Sequence, residues 1–305
     1  VIGYRQAMSL KDKPESIIII GSGAIGVEFA YFYNAIGTNV TIIENQSNIV
    51  PNEDKEISRE LQKIFKKTGI EILTETAVEK VSVKDNCAHV EINSKNKKDV
   101  LIATKVLSAV GIVSNIENIG LEALKITTEN GKIAVNEYYE TNLANHFAIG
   151  DVVSGPALAH VASAEGIICV EKIAGHNPEP LNYDNIPGCT YCYPEIASVG
   201  MTEEQAIQNG YEIKVGKFPF SASGKASAAG KKEGFVKMIY DSKYGELLGA
   251  HMIGFNVTEM IAEIVAARKL ETTGYEILKT IHPHPTMSEA VMEATAAAFN
   301  EVIHL

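Results

Sequence analysis

The stretch that most limits how this chain can fold is residues 16–44. "SIIII" at 16–20 is an apolar, β-branched run, "GSGAIG" at 21–26 follows at once, and a helical segment, "VEFAYFYNAIG", closes at Gly37 before a second apolar run, "NVTIIE", ends at Glu44. That order predicts strand, glycine turn, helix and strand, the opening of an α/β layer. Gly21 permits the tight turn, Gly23 lets the backbone approach a pyrophosphate, and Gly26 lets the helix pack closely on the strand. Glu44 can accept both ribose hydroxyls of an adenosine and would repel a 2′-phosphate, which favours NAD over NADP. A glycine motif alone also fits a merely structural turn. Here the strand before it, the helix after it and the acid at the proper distance favour a dinucleotide.

Next come an amphipathic helix, "EDKEISRELQKIFKKTG", and a strand, "IEILTETAV". Three β-like runs then fall at about 79–84, 87–94 and 99–107, with a turn at "NSKNKK", so a β-meander replaces the usual crossover helix. "KVLSAVG" is read as a strand stopping at Gly111, where glycine permits close approach of a ligand. Farther on, "HFAIGDVVSGPALAH" predicts a strand ending in Gly150-Asp151, a glycine-proline loop and a helix from near Leu158. Asp151 could hold a polyol hydroxyl or cap the helix, and the residues leave both readings open. From about residue 183 the strands "FVKMIYD" and "LLGAHMIG", the helix "NVTEMIAEIVAARKL", a His-Pro loop and a last helix form an α+β domain.

A formal net charge of −11 and a single short basic cluster, "KNKKD", argue against nucleic acid and anionic membrane as partners. No apolar run is long enough to span a bilayer, so a soluble chain is expected. The start, "VIGYRQAMSL", has neither an initiator Met nor the order of a signal peptide, and no targeting segment is legible in it. Cys87, Cys169, Cys189 and Cys192 are too few and scattered for a disulfide framework, which fits a reducing compartment. Cys189 and Cys192 spell CxxC, but no second pair follows. The flanking "IPGCTYCYPEIASVG" reads as a strand with Pro194 at its end, which counts against a redox or zinc role.

"HPHPTMSE" at 282–289 carries two opposed readings. Pro283 and Pro285 stiffen the backbone around His282 and His284, which suits an imidazole that must be aimed. Thr286 and Glu289 before an apolar run also spell a capping box, with Thr286 capping the last helix and Glu289 reaching back.

Taken in order, "GSGAIGVE", "AIGDV", "GPALAH", "YPEIASVG" and "HPHPTMSE" resemble the dimeric flavin disulfide reductases over essentially the whole chain. The resemblance implies a Rossmann-like NAD domain with a β-meander at 1–112, the C-terminal piece of an FAD domain at 113–182, and an α+β dimerisation (interface) domain at 183–305. Gly21, Ser22, Gly23, Ala24, Ile25, Gly26, Val27, Glu28, Glu44, Val78 and Gly111 resemble the NAD site, with Glu28 near the meeting of nicotinamide and flavin. Asp151, Ala157, Leu158, Ala159 and His160 resemble the part of the FAD site that holds ribitol and the flavin ring. His284 resembles an acid/base histidine working across a homodimer on the partner's dithiol, and Glu289 the carboxylate that orients it; His282 is left structural, and Pro285 is a candidate cis proline.

The activity so implied passes electrons from a dihydrolipoyl group through a protein disulfide and FAD to NAD. The partners implied are a second copy and the lipoyl and peripheral-subunit-binding domains of 2-oxoacid dehydrogenase complexes, in the cytoplasm or, for a eukaryotic source, the mitochondrial matrix. Three departures stand out: the family's first glycine motif and redox cysteines are absent, Ile112-Val-Ser-Asn115 replaces the usual Arg and Pro, and Cys192 replaces Thr or His. Without a thiolate for His284 to serve, the chain alone is not expected to turn over. Relatives using NADPH would want basic residues in place of Glu44, and mercuric reductases a C-terminal cysteine pair. A non-catalytic NAD-binding dimer is the reading from a different class.

Overall fold

A computed structural model describes residues 1–305 as two compact units, Val1–Gly111 with Pro187–Leu305, and Ile112–Ile186. The first unit opens with α1 (Tyr4–Met8), β1 (Ser16–Ile20), α2 (Ala24–Ala35), β2 (Asn39–Ile43), α3 (Lys55–Lys67) and β3 (Glu71–Leu73). It continues with β4 (Thr76–Lys84), β5 (Cys87–Ser94), β6 (Lys97–Ala103) and β7 (Lys105–Ser108). Parallel strands run in the order β3-β2-β1-β7, and β4, β5 and β6 form a separate antiparallel meander. The unbroken apolar run of β1 follows from its burial on both faces, since successive side chains alternate. Ile17 and Ile19 pack with Val27 and Ala30 of α2 and Leu61 and Phe65 of α3, whereas Ile18 joins Ile43, Val90 and Val106 on the meander side.

Two expected strands are each divided. "IEILTETAV" breaks at Glu75, where φ is +51° and the N–H donates to the Gln46 carbonyl at 2.9 Å, so β3 stays in the parallel sheet and β4 leaves it. The run expected at 99–107 breaks at Thr104, whose hydroxyl donates to the Ser16 carbonyl at 2.5 Å. As a result β6 ends in the meander and β7 beside β1.

The second unit holds α4 (Leu121–Leu124), β8 (Thr128–Glu129), β9 (Lys132–Ile133), a 3-10 turn at Gly150–Val152, α5 (Ala159–Ile173) and a second 3-10 turn at Tyr183–Asn185. The strand expected to end at Gly150-Asp151 is absent. Pairing there is limited to an isolated bridge between Glu140 and Phe147, and Gly150, at φ +76°, turns the chain.

The first unit resumes with β10 (Gly188–Thr190), β11 (Glu195–Gly200), α6 (Glu203–Gln208), β12 (Ile213–Pro219), α7 (Gly224–Ala229), β13 (Phe235–Asp241) and β14 (Leu247–Gly254). Three helices follow: α8 (Val257–Lys269), α9 (Gly274–Lys279) and α10 (Glu289–Ala298). The strand expected to have Pro194 at its end stops earlier, at Thr190, and the Tyr191–Pro194 segment, with the Tyr193–Pro194 bond cis, connects β10 to the antiparallel β11. The five strands run β10-β11-β14-β13-β12. One face, with Val236, Met238, Tyr240, Ala250 and Met252, packs under α8 and α10; Ile196, Phe235 and Ile253 on the other share the core of α2 and α3. No helix is long and apolar enough to cross a membrane.

Candidate functional site

The glycine turn has the shape its residues suggest. A Cβ on Gly21 (φ +96°) would sit 2.4 Å from the Ala109 carbonyl oxygen, and one on Gly26 would sit 2.1 Å from that of Gly21, so close approach excludes any side chain at either position. Gly23 differs: a Cβ there would meet nothing within 4 Å, leaving open space at the N-terminus of α2, which no side chain caps. Gly23 and Ala24 are exposed, Ile25 and Glu28 half-buried, and Gly26 and Val27 buried. Free N–H groups and the helix dipole at such a terminus favour an anion. Glu44, one residue past β2, is largely buried and anchored. Its Oε2 accepts the Ser22 N–H at 2.9 Å and the Ser22 hydroxyl at 2.6 Å, and its Oε1 accepts the Gln46 N–H at 2.8 Å. The acid and the turn are therefore one hydrogen-bonded piece. Glu28 accepts the Tyr191 N–H at 2.8 Å, tying α2 to the β10–β11 connection. Val78 lies half-buried in β4, opposite Ile92, and Gly111 (φ +129°) is exposed beyond β7.

At the other end of this unit the structure brings His284 and Glu289 together. His284 Nδ1 lies 2.8 Å from Glu289 Oε1, and Glu289 Oε2 accepts the Thr286 N–H at 2.7 Å. Thr286 is not the cap: its hydroxyl donates to the Pro283 carbonyl, and α10 starts at Glu289 with Ser288 before it. Glu289 does reach back, but its second oxygen is spent on the imidazole. Burial alone would raise the Glu289 carboxyl, yet the Thr286 N–H and His284 outweigh it and hold the pKa below the usual carboxylate value. With Nδ1–H donated to Glu289, Nε2 is the basic nitrogen of a side chain that is 78% exposed. The His284–Pro285 bond is cis. His282, by contrast, is buried against Glu263, with Nε2 2.7 Å from Oε1, and that hydrogen bond raises its pKa despite burial.

In the second unit Asp151 lies exposed in the 3-10 turn, and Ala157, Leu158, Ala159 and His160 run into α5. Asp151 does not cap α5, whose N-cap is Leu158 and which has no side-chain cap. No side chain caps the start of this helix, and the positive-φ glycines Gly150 and Gly155 turn the chain before it, packed against Ala162 and Tyr183.

One cluster had no counterpart in the sequence reading. Across the C-terminal sheet, Lys217, Lys237, His251 and Ser198 are successive register partners on one face, opposite the start of α3. Lys237, 1% exposed, places Nζ 3.0 Å from Asp54 Oδ1, 2.9 Å from Glu56 Oε2 and 2.6 Å from Glu203 Oε2. A lysine inside a strand is ordinarily read as its solvent face, so only the pairing register shows that four carriers of polar chemistry line up. Beside them Glu53 bonds Ser198 while its Oε2 is buried without a partner, and burial with Asp54 nearby pushes its pKa up to about 7. An acid whose pKa is raised on folding loses stability as pH rises from its unfolded value, near 4.5, towards 7. The melting temperature is accordingly expected to fall over that interval, and Glu53→Gln to flatten the fall; an identical pH profile in the variant would contradict this.

Neither thiol of the CxxC segment is activated. Burial raises both, and Cys192 donates its S–H to the Pro194 carbonyl at 3.1 Å.

The glycine-turn lobe thus shares a core with the antiparallel sheet, and the His–Glu pair is set by the α9–α10 connection and the first residue of α10, a combination that suits a nucleotide-linked oxidoreductase. The sequence profile of the pyridine nucleotide-disulphide oxidoreductase family matches residues 1–166, and the dimerisation domain of the same family matches 186–295. The chain belongs to that family. It is 48% identical to a dihydrolipoyl dehydrogenase of Zymomonas mobilis, over 99% of this chain and 65% of that protein. A dihydrolipoyl dehydrogenase of Bacillus subtilis is 46% identical, over 100% and 65%. The chain thus spans about two-thirds of the length of these relatives. Among solved structures, the HOCl-induced flavoprotein disulfide reductase of Escherichia coli superposes with TM-score 0.90 at 28% identity, covering 96% of this chain and 66% of that one. LpdA of Mycobacterium tuberculosis shares the fold, with TM-score 0.90 at 24% identity over 97% and 64%.

Proposed function

We propose that this chain forms the NAD-binding and dimerisation parts of a dihydrolipoyl dehydrogenase, with a piece of its FAD domain between them. The observation that carries the reading is the His284–Glu289 pair, 2.8 Å apart, in a chain 46–48% identical to dihydrolipoyl dehydrogenases. Residues 1–112 are the NAD domain, 113–182 the FAD piece and 183–305 the interface domain of a homodimer. Gly21 to Glu28 receive the pyrophosphate on the N–H groups of α2, Glu44 takes the adenosine ribose, and Val78 and Gly111 border the nucleotide.

Asp151 holds the ribitol of FAD, and Ala157 to His160 meet the flavin ring. FAD, when bound, relays an electron pair between a dithiol and NAD. The protein's part is proton handling. Glu289 fixes the His284 tautomer, so that Nε2 takes the proton from a thiol and the carboxylate stabilises the imidazolium that results. We place the work of His284 on the dithiol chemistry of the second copy of a homodimer. The lipoyl and peripheral-subunit-binding domains of 2-oxoacid dehydrogenase complexes are the partners, and the compartment is cytoplasmic or, in a eukaryote, the mitochondrial matrix. Preference for NADH over NADPH, set by Glu44, tests the nucleotide half of the proposal.

A further inference from the structure

Glu165 is 1% exposed in α5, yet neither group that fills its two oxygens carries a charge. Oε2 accepts the Gly150 N–H at 2.6 Å and Oε1 accepts the Tyr183 hydroxyl at 2.6 Å. The Tyr183 oxygen in turn lies 3.3 Å from that of Tyr139, which is buried. Burial and the neighbouring Glu165 push the Tyr183 phenol up, so it keeps the proton it donates.

The same tyrosine closes on the loop that follows. A Cβ on Gly155 (φ +128°) would lie 2.8 Å from Tyr183 Cε1, and Lys132 Nζ donates to the Val153 carbonyl at 2.8 Å. The turn that carries Asp151 is therefore fastened before it, by Glu165 on the Gly150 N–H, and after it, by Tyr183 and Lys132. A carboxylate buried with only neutral donors is a costly way to fill a core, and an apolar side chain would pack more cheaply. What the carboxylate adds is direction, because it holds one backbone N–H and thereby the orientation of the residue next to it.

We infer that Glu165 and Tyr183 are positioning residues that pre-set the Gly150–Asp151 turn, with the Asp151 side chain facing outward, to receive the polyol chain of a flavin. The inference rests on the proposed flavin role of Asp151 and Ala157 to His160. Glutamine at 165 keeps the shape but cannot accept from both donors at once, and phenylalanine at 183 removes one of the two bonds while keeping the ring against Gly155.

The test uses the protein as its cell makes it, stripped of bound flavin and titrated with FAD, alongside Glu165→Gln and Tyr183→Phe. Amide hydrogen exchange at Gly150 and the thermal midpoint are read on the same samples. Glu165→Gln is expected to weaken FAD binding by roughly ten- to a hundred-fold, the size of a lost hydrogen bond to a charged group, and Tyr183→Phe by less. The Gly150 amide should exchange at least about tenfold faster in Glu165→Gln, with a small fall in the thermal midpoint from the unpaired donor and the amides within α5 protected as in the wild type. Wild-type affinity for FAD in both variants would overturn the positioning role while leaving the flavin reading intact. Failure of the wild-type protein to take up FAD would overturn the flavin reading itself, and the inference with it.

Discussion

Lys237→Ala is expected to destabilise the folded chain by about 3–5 kcal/mol in urea unfolding, the cost of leaving a buried charge without its partner. Lys237 is almost wholly inaccessible, and Asp54, 3% exposed, has both carboxylate oxygens 3.0 Å from its Nζ. Burial alone would lower the lysine's pKa, but the carboxylates of Glu203, Glu56 and Asp54 outweigh it and raise it, so the ammonium is retained. Burial likewise works against Asp54, and the Glu56 N–H together with Lys237 still holds its pKa below the ordinary value.

Removing Lys237 leaves the buried Asp54 carboxylate beside that of Glu203 without their shared ammonium, while Glu56 keeps Lys217 at 2.7 Å, and Asp54 is also the N-cap of α3. A carboxyl whose pKa is lowered on folding stabilises the native state above its unfolded pKa and loses that contribution as pH falls through the folded one. The deficit of Lys237→Ala should therefore shrink as Asp54 and Glu56 protonate below about pH 4. A loss under about 1 kcal/mol at neutral pH, the range of an exposed ion pair, would contradict this picture of the seam.

The second large effect belongs to catalysis and rests on the proposed activity. In a protein that joins this chain to the redox dithiol and FAD, His284→Gln should lower the rate of dihydrolipoamide oxidation by roughly 10²–10⁴-fold, the range for loss of a positioned general base, while leaving NADH affinity unchanged. Glu289→Gln should cost less, because the amide can still accept from Nδ1 but no longer carries the charge that stabilises the imidazolium. Steady-state rates across pH distinguish the two variants. Unaltered turnover in His284→Gln would remove the imidazole from the reaction.

Features written in local chemistry were legible in the sequence. The β1–turn–α2–β2 order could be read because each step has its own signal: a β-branched run, three glycines with distinct steric duties and an acid where the second strand ends. β13 and β14 also matched their quoted segments. Features set by tertiary partners were not legible. Nothing local marks Thr104 as the point where the chain leaves the meander, since its hydroxyl and N–H are used by Ser16, eighty-eight residues away. The polar row from Lys217 to Ser198 exists only once strand register is known, and the turn at Gly150 is set by Glu165, fifteen residues on. Thr286 misled for the opposite reason: its spacing to Glu289 is that of a capping box, but Pro283 supplies a competing acceptor for its hydroxyl.

The Ser22–Glu44 turn as the site of NAD is tested most directly by nucleotide titration. NADH should bind the chain at least about tenfold, or 1.4 kcal/mol, more tightly than NADPH, because the 2′-phosphate of NADPH would face the Glu44 carboxylate. Glu44→Gln should narrow that gap. Equal affinity for the two nucleotides, or binding of neither, would contradict the assignment.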